Sequence, residues 1–418
     1  MLKNVFKKTE VKKNLAISVI GTALGQLIHL GTIPIISRLY TPEAFGQFSL
    51  FMSIFGILTA FSLMRIESAI MVADENEVGM LNRSLKILGL IITAITFIIT
   101  LVLYFINSEH LSIFIFLSII IYISNRFWTQ RAIVNREKNF KALSLSKILE
   151  NFINSVLSIG IAFTSLKDIG LYASKILSLL VGYVILKKST KNSYPKLDQS
   201  VKKSISKYKN FPIYSFPEDL VGHLNSSTLI FIFSYLFSAF EVGLIGLTAR
   251  ALSAPANFIS VSFYDVFKQK AVEDYKNYGS FEHIFKKFFI ILFGLAVSMS
   301  IIIGLSGPTL FDFILGSKWK NAGIYAQYLT LLYSIKLMTV PLTFSLEIRN
   351  LHFINLIFQT TNLVLGLLII PIVYFITKND VECIKYYSLT LSLVSSIQIY
   401  IAYGASKAKL PSYLKKRL

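Results

Sequence analysis

Apolar runs long enough to cross a bilayer recur along the whole chain, separated by short polar connections. Twelve such segments are predicted, at roughly 15–36, 44–64, 87–107, 111–131, 148–166, 169–186, 211–236, 242–264, 286–307, 325–346, 354–376 and 384–406. Each is close to the ~20 residues that a helix needs to span the hydrocarbon core. The connections alternate in charge. One set is rich in Lys and Arg: the stretch from Lys3 to Lys13, the gap holding Arg136, Lys138 and Lys141, and the gap from Lys187 to Lys209. The other set is poor in both and includes bare turns such as Asn107 to His110 and Leu166 to Asp168. Cationic loops resist translocation and stay cytoplasmic. The basic gaps and both termini are therefore predicted on the cytoplasmic side, and the short outer turns make sequential helices antiparallel.

The longest basic gap, which contains Pro195, divides the spans six and six. The predicted organisation is an amino-terminal lobe over 1–186, a cytoplasmic basic linker over 187–210 and a carboxy-terminal lobe over 211–418. The lobes carry a faint parallel repeat at an offset of 197 residues. Leu39-Tyr40-Thr41, then Phe45-Gly46 and Leu50, align with Leu236-Phe237-Ser238, then Val242-Gly243 and Leu247. Duplicated halves with a site between them are a common transporter design. The gap near 265–287 mixes Asp265, Glu273, Asp274 and Glu282 with lysines and reads as an amphipathic surface helix.

Composition sharpens this picture. Hydrophobic residues make up 54% of the 418, and the mean hydropathy is +0.62. That suits a polytopic membrane protein and leaves no room for a sizeable soluble domain. The net charge of +20 is then a topology signal, not the footprint of a nucleic-acid partner. The single cysteine, Cys383, excludes an intrachain disulfide framework and a multi-cysteine metal site. The first apolar run lacks a small-residue cleavage site and reads as a retained span. No Walker loop, HExxH, GxSxG or dinucleotide fingerprint occurs. The chain is thus expected to be neither an enzyme nor an ATP-driven pump, and to need no cofactor.

The polar inventory inside the spans carries the chemistry, because such groups are costly there. Lys147, Glu150, Asn151, Asn154, Ser155 and Ser158 form one helical face, and Asn355, Gln359, Asn362 and Gly366 another. Such faces serve either as helix–helix adhesive or as cavity lining. Arg250 lies about nine residues into its span and Lys336 about eleven, so both reach roughly the middle of a 30 Å core. Each precedes a proline, Pro255 and Pro341, by five residues. Arg65 and Glu67 sit near the inner end of the second span, where Arg65 either snorkels or forms a private ion pair. Lys175 is placed within reach of the outer surface and outside the site. The seventh span opens Phe211-Pro212 and runs through Pro217-Glu218-Asp219 to Gly222-His223 and Asn225. That pattern suits a broken helix beside a cavity. Glu218 and Asp219, with His223 four residues beyond Asp219, are the candidates for ion coupling, since desolvation and like charge favour retention of one proton.

The stretch Ser37-Arg38-Leu39-Tyr40-Thr41-Pro42-Glu43-Ala44-Phe45-Gly46-Gln47-Phe48 resembles the polysaccharide-biosynthesis membrane proteins. These are the O-antigen and capsule repeat-unit flippases of the multidrug/oligosaccharidyl-lipid/polysaccharide exporter superfamily. The segment Arg65-Ile66-Glu67-Ser68-Ala69-Ile70 and the run from Val242-Gly243 through Arg250 to Pro255 share the likeness. The resemblance implies an all-α polytopic fold of two six-helix lobes around a central cavity, in the bacterial inner membrane. The implied partner is an undecaprenyl-diphosphate-linked oligosaccharide, flipped from inner to outer leaflet, with a polysaccharide polymerase and a chain-length regulator as further partners beside membrane lipids. Arg250, Lys336 and Arg65 suit the diphosphate, and Asn154, Gln359 and Asn362 suit sugar hydroxyls. A multidrug cation antiporter of the same superfamily stays open through the carboxylates of the seventh span. A major-facilitator sugar transporter also has six plus six spans, but its usual Gly-x-x-x-Asp-Arg-x-Gly-Arg loop is replaced here by Ala73-Asp74-Glu75-Asn76-Glu77.

Overall fold

A computed structural model describes residues 21, 24–28, 30–106, 111–190, 194 and 206–408. Among them all regular structure is helical. Helix α1 is described at 24–28 and 30–39. There follow α2 (Pro42–Leu63), the short α3 (Ile66–Ala69), α4 (Glu75–Ile106), α5 (Leu111–Arg136), α6 (Phe140–Ile161), α7 (Gly170–Ser189) and α8 (Phe216–Leu236). The remainder is α9 (Ala239–Tyr278), α10 (Glu282–Leu315), α11 (Lys320–Leu342), the short α12 (Phe344–Ile348), α13 (His352–Thr377) and α14 (Asp380–Ser406). The amino-terminal stub, His29 and most of the 187–210 linker lie outside the described residues.

Local chemistry sets many of these boundaries. Asn139 caps α6 by accepting from the Ala142 N–H, and Asn379 caps α14 through Glu382. Ser238 and Glu241 close a capping box at the start of α9. Gly279, at φ 67, ends α9 in the left-handed conformation that glycine adopts without penalty. Before α8, Phe211–Ser215 forms a wide π-helical turn. A π turn accommodates displaced backbone bonding, which suits a segment holding Pro212.

Eight helical segments among the described residues are long and apolar enough to cross a membrane. The chain is therefore a multi-pass membrane protein. Helices α6 and α8 fall short of that measure because they carry polar residues: Lys147 and Glu150 in α6, Glu218 and Asp219 in α8. Several helices outrun their hydropathic cores. Helix α9 has 40 residues, about 60 Å of helix against a core of about 30 Å. This corrects the expected separate surface helix near 265–287. Nothing breaks the helix between Asp265 and Gly279, so the amphipathic stretch continues the span.

The chain packs as two compact units, one of Met1–Tyr40 with Leu50–His223, the other of Thr41–Ser49 with Leu224–Leu418. In the first, α5 and α7 pack together, α4 lies against α5, and α6 against α7. The 64–73 connection folds onto α4, burying Ile66, Ala69 and Ile70 with Val78, Leu81 and Leu85. In the second, α11 is central and touches α9, α10 and α14. Buried residues form 61% of its most apolar window against 17% for α10. Polar bonds tie it in: Thr248 Oγ1 donates to the Ala322 carbonyl at 3.0 Å, Ser260 Oγ to Leu337 at 3.0 Å and Gln327 Nε2 to Gly304 at 2.7 Å.

The repeat-related glycines meet inside the second unit. A Cβ on Gly46 would overlap the backbone of Ala239 and Gly243, and one on Gly243 would overlap the Pro42 carbonyl. The same offset that relates Gly46 to Gly243 relates Pro42 to Ala239, so the crossing is reciprocal. Such backbone approach is open only to small residues.

Candidate functional site

Helix α2 ends in two successive left-handed residues, Met64 at φ 46 and Arg65 at φ 59. Non-glycine residues held there cost of order 1–3 kcal/mol each. The reversal turns the Arg65 side chain toward α8. Its Nη1 lies 3.8 Å from Asp219 Oδ1, and His223 Nε2 lies 3.9 Å from Asp219 Oδ2. The structure thus joins Arg65, which sequence reasoning assigned to substrate, with two of the three ion-coupling candidates. Glu218, the third, is exposed on the neighbouring position.

Glu67, passed over as a site residue, belongs beside this cluster. Ser68 Oγ donates to its Oε1 at 3.3 Å, while its Oε2 is buried without a hydrogen-bond partner. Glu67 lies in the connection beyond the second span. Burial pushes its carboxyl above the ordinary range, against the pull of the Arg65 guanidinium. The Arg136 guanidinium, donating to the Ile70 carbonyl at 2.7 Å, holds the end of this connection in place.

The polar face of α6 is a charge cluster. Glu150 is buried, and Lys147 Nζ and Lys175 Nζ approach its carboxylate at 3.2 and 2.9 Å. The expected placement of Lys175 near the outer surface is corrected: a buried carboxylate one helix away draws the ammonium inward. Lys175 was invisible as a partner because 25 residues separate it from Glu150. Asn154, on the same helix, is half-buried. Its neighbour Ser155 shares a hydrogen bond with Thr32 at 2.9 Å, so part of this face is helix–helix adhesive.

In the second unit Arg250 and Lys336 are half-buried. The Arg250 guanidinium lies over the Phe48 ring at 4.9 Å, and its Nη2 reaches Ser49 Oγ at 3.5 Å. The Lys336 ammonium lies 5.8 Å from the Tyr333 ring centroid. Among the described residues no carboxylate forms a salt bridge with either, in contrast to Lys147 and Lys175. On α13, Asn355 accepts from Gln398 Nε2 at 3.1 Å, and Asn225 Nδ2 donates to the Gln359 carbonyl at 2.7 Å. The Asn362 Oδ1 is buried with no partner. An apolar cavity of about 550 Å³ opens between α10, α11 and α14, lined by Phe289, Phe293, Ile335, Met338 and Tyr400. Among the described residues no group of His, Cys, Asp and Glu could hold a metal ion.

Comparison with known proteins agrees with this architecture. The family described as polysaccharide biosynthesis protein matches residues 35–324. No curated protein matches the sequence. Among solved structures, a lipid II flippase MurJ in an inward closed conformation superposes with a TM-score of 0.73 at 14% identity, over 92% of this chain and 86% of that one. A multidrug resistance MATE family transporter in its inward-facing conformation gives 0.64 at 13% identity, over 96% and 99%. Its outward-facing counterpart gives 0.62 at 14% identity, over 97% of each chain. At such identities the likeness concerns the fold.

Proposed function

The chain belongs to the polysaccharide biosynthesis protein family, and from that premise we propose that it flips a lipid-linked oligosaccharide across the membrane by alternating access. The substrate would be an undecaprenyl-diphosphate-linked repeat unit for O-antigen or capsule assembly, moved from the inner to the outer leaflet of the bacterial cytoplasmic membrane. The observation that carries this reading is the pair of cations Arg250 and Lys336, expected near mid-span, with no salt bridge to a carboxylate among the described residues. A cation there is costly. Lys175 shows the structural remedy, a buried Glu150. Arg250 and Lys336 lack it, and a diphosphate would supply it. Asn154, Gln359 and Asn362 would offer polar contacts to sugar hydroxyls, and Arg65 would be a further cation for the diphosphate. The apolar cavity between α10, α11 and α14 suits a prenyl tail. A polymerase and a chain-length regulator would take the product onward.

Asp219, His223 and Glu218 would couple transport to a proton gradient, and the buried Glu67 carboxyl beside them would be a further member of that group. A multidrug cation antiporter of the same superfamily is the second reading, favoured by the exposed Glu218 carboxylate. The Asp219 carboxylate speaks less for it, since Arg65 already pairs with that group.

Vesicles containing the full-length protein and a fluorescent undecaprenyl-diphosphate-linked oligosaccharide test both points. A lost charge-assisted hydrogen bond is worth about 1.5–3 kcal/mol, so Arg250→Gln and Lys336→Gln should each slow flipping at least about tenfold at unchanged protein yield. Wild-type flipping in both variants would remove the pair from the site. An imposed pH gradient should alter the wild-type rate, and Asp219→Asn should abolish that response.

A further inference from the structure

Within the first unit a cavity of about 910 Å³ lies between α4, α5 and α7. Four cations line it: Arg83 and Lys86 from α4, Arg126 from α5 and Lys187 from α7. No carboxylate is among its described lining residues. Arg126 is the telling member. Its side chain is only 9% exposed, and Nη2 donates to Asn82 Oδ1 at 2.7 Å. Its Nη1 is buried with no hydrogen-bond partner. A guanidinium nitrogen left so is costly unless an acceptor arrives. Arginine presents paired donors that match phosphate oxygens. Tyr122 and Tyr183 bring phenol groups to the same wall, and the Lys187 ammonium lies 5.8 Å from the Tyr183 ring centroid.

We propose that this cavity binds the phosphate headgroup of an anionic membrane phospholipid. Three features select a lipid over a free ion. The volume exceeds what one phosphate fills and falls in the range of small-molecule sites, about 300–1,000 Å³. Ile87 and Leu90, 36% and 47% exposed on α4, continue the cavity wall as an apolar strip on which acyl chains can lie. The four cations also cluster toward the ends of α4, α5 and α7 that the charge bias of the loops assigns to the cytoplasmic leaflet, where anionic lipids attract basic pockets between helices. None of these residues belongs to the proposed flipping or coupling groups, so the site stands independently of that function.

The test is native mass spectrometry of the full-length protein in neutral detergent, titrated with phosphatidylglycerol, phosphatidylcholine or inorganic phosphate. Phosphatidylglycerol should be retained at least about tenfold more than phosphatidylcholine. Arg126→Gln should lower that preference severalfold. Because Arg126 also holds Asn82, Lys86→Gln at an exposed position provides the second variant and should lower it with unchanged thermal stability. Equal retention of the two lipids, or an undiminished preference in both variants, would overturn the proposal. Displacement of phosphatidylglycerol by equimolar inorganic phosphate would overturn the assignment to a lipid.

Discussion

At the scale of the residue, a buried charge that is neutralised by its neighbours predicts behaviour. Glu150 is neutralised by two lysines, Lys147 and Lys175, and this cluster closes on itself. Breaking a buried pair by removing one partner typically costs about 3–5 kcal/mol, because the remaining charge is left without compensation. Glu150→Gln should therefore lower the thermal midpoint of the purified protein sharply. Combining it with Lys175→Met should recover much of the loss, which a thermal unfolding series would reveal. A spared midpoint in Glu150→Gln would show that Lys147 and Lys175 reach water instead. The Lys147–Glu150 face was legible from helical spacing, since both lie on one helix. Lys175 was not, because the distance between residues on different helices is set by packing.

At the scale of the element, the close crossing in the second unit depends on absent side chains. A Cβ on Gly243 would overlap the Pro42 carbonyl, a backbone group that cannot swing away. Overpacking of this kind costs about 1–3 kcal/mol or more. Gly243→Ala should reduce the folded yield seen by size-exclusion chromatography. Gly31→Ala should leave it unchanged, since none of the described residues lies within 4 Å of the added carbon. The alignment of Phe45-Gly46 with Val242-Gly243 was visible in the sequence as a weak repeat. That the two glycines face one another was not, because a repeat fixes equivalence and says nothing of contact. The left-handed pair Met64 and Arg65 was equally hidden. Neither residue type favours that conformation, so only the surrounding packing selects it.

For the whole molecule, the alternation of basic and cation-poor connections makes the prediction. Reporter fusions after Lys188 and after Thr164 should report opposite faces of the membrane, with Lys188 cytoplasmic. The same face for both would break the alternating topology. The described helices agree in order with the expected spans from 44 onward, yet α4, α9 and α10 are longer than their apolar cores. Hydropathy measures where lipid begins. It does not measure where a helix ends, which capping groups such as Ser238 and Gly279 decide.

The sequence by itself determined that this is a helical multi-pass membrane protein with costly polar groups in several spans. Apolar length and helical periodicity are local properties that folding does not alter. It also singled out Arg250 and Lys336, because a cation at mid-span is anomalous wherever its neighbours lie. Only the tertiary structure decided which charges are spoken for. Asp219 meets Arg65, Lys175 meets Glu150, and Arg126 keeps one guanidinium nitrogen unpaired beside a cavity. Coulomb and hydrogen-bond energies act over a few ångströms, and across separate helices those distances exist only once the chain is packed.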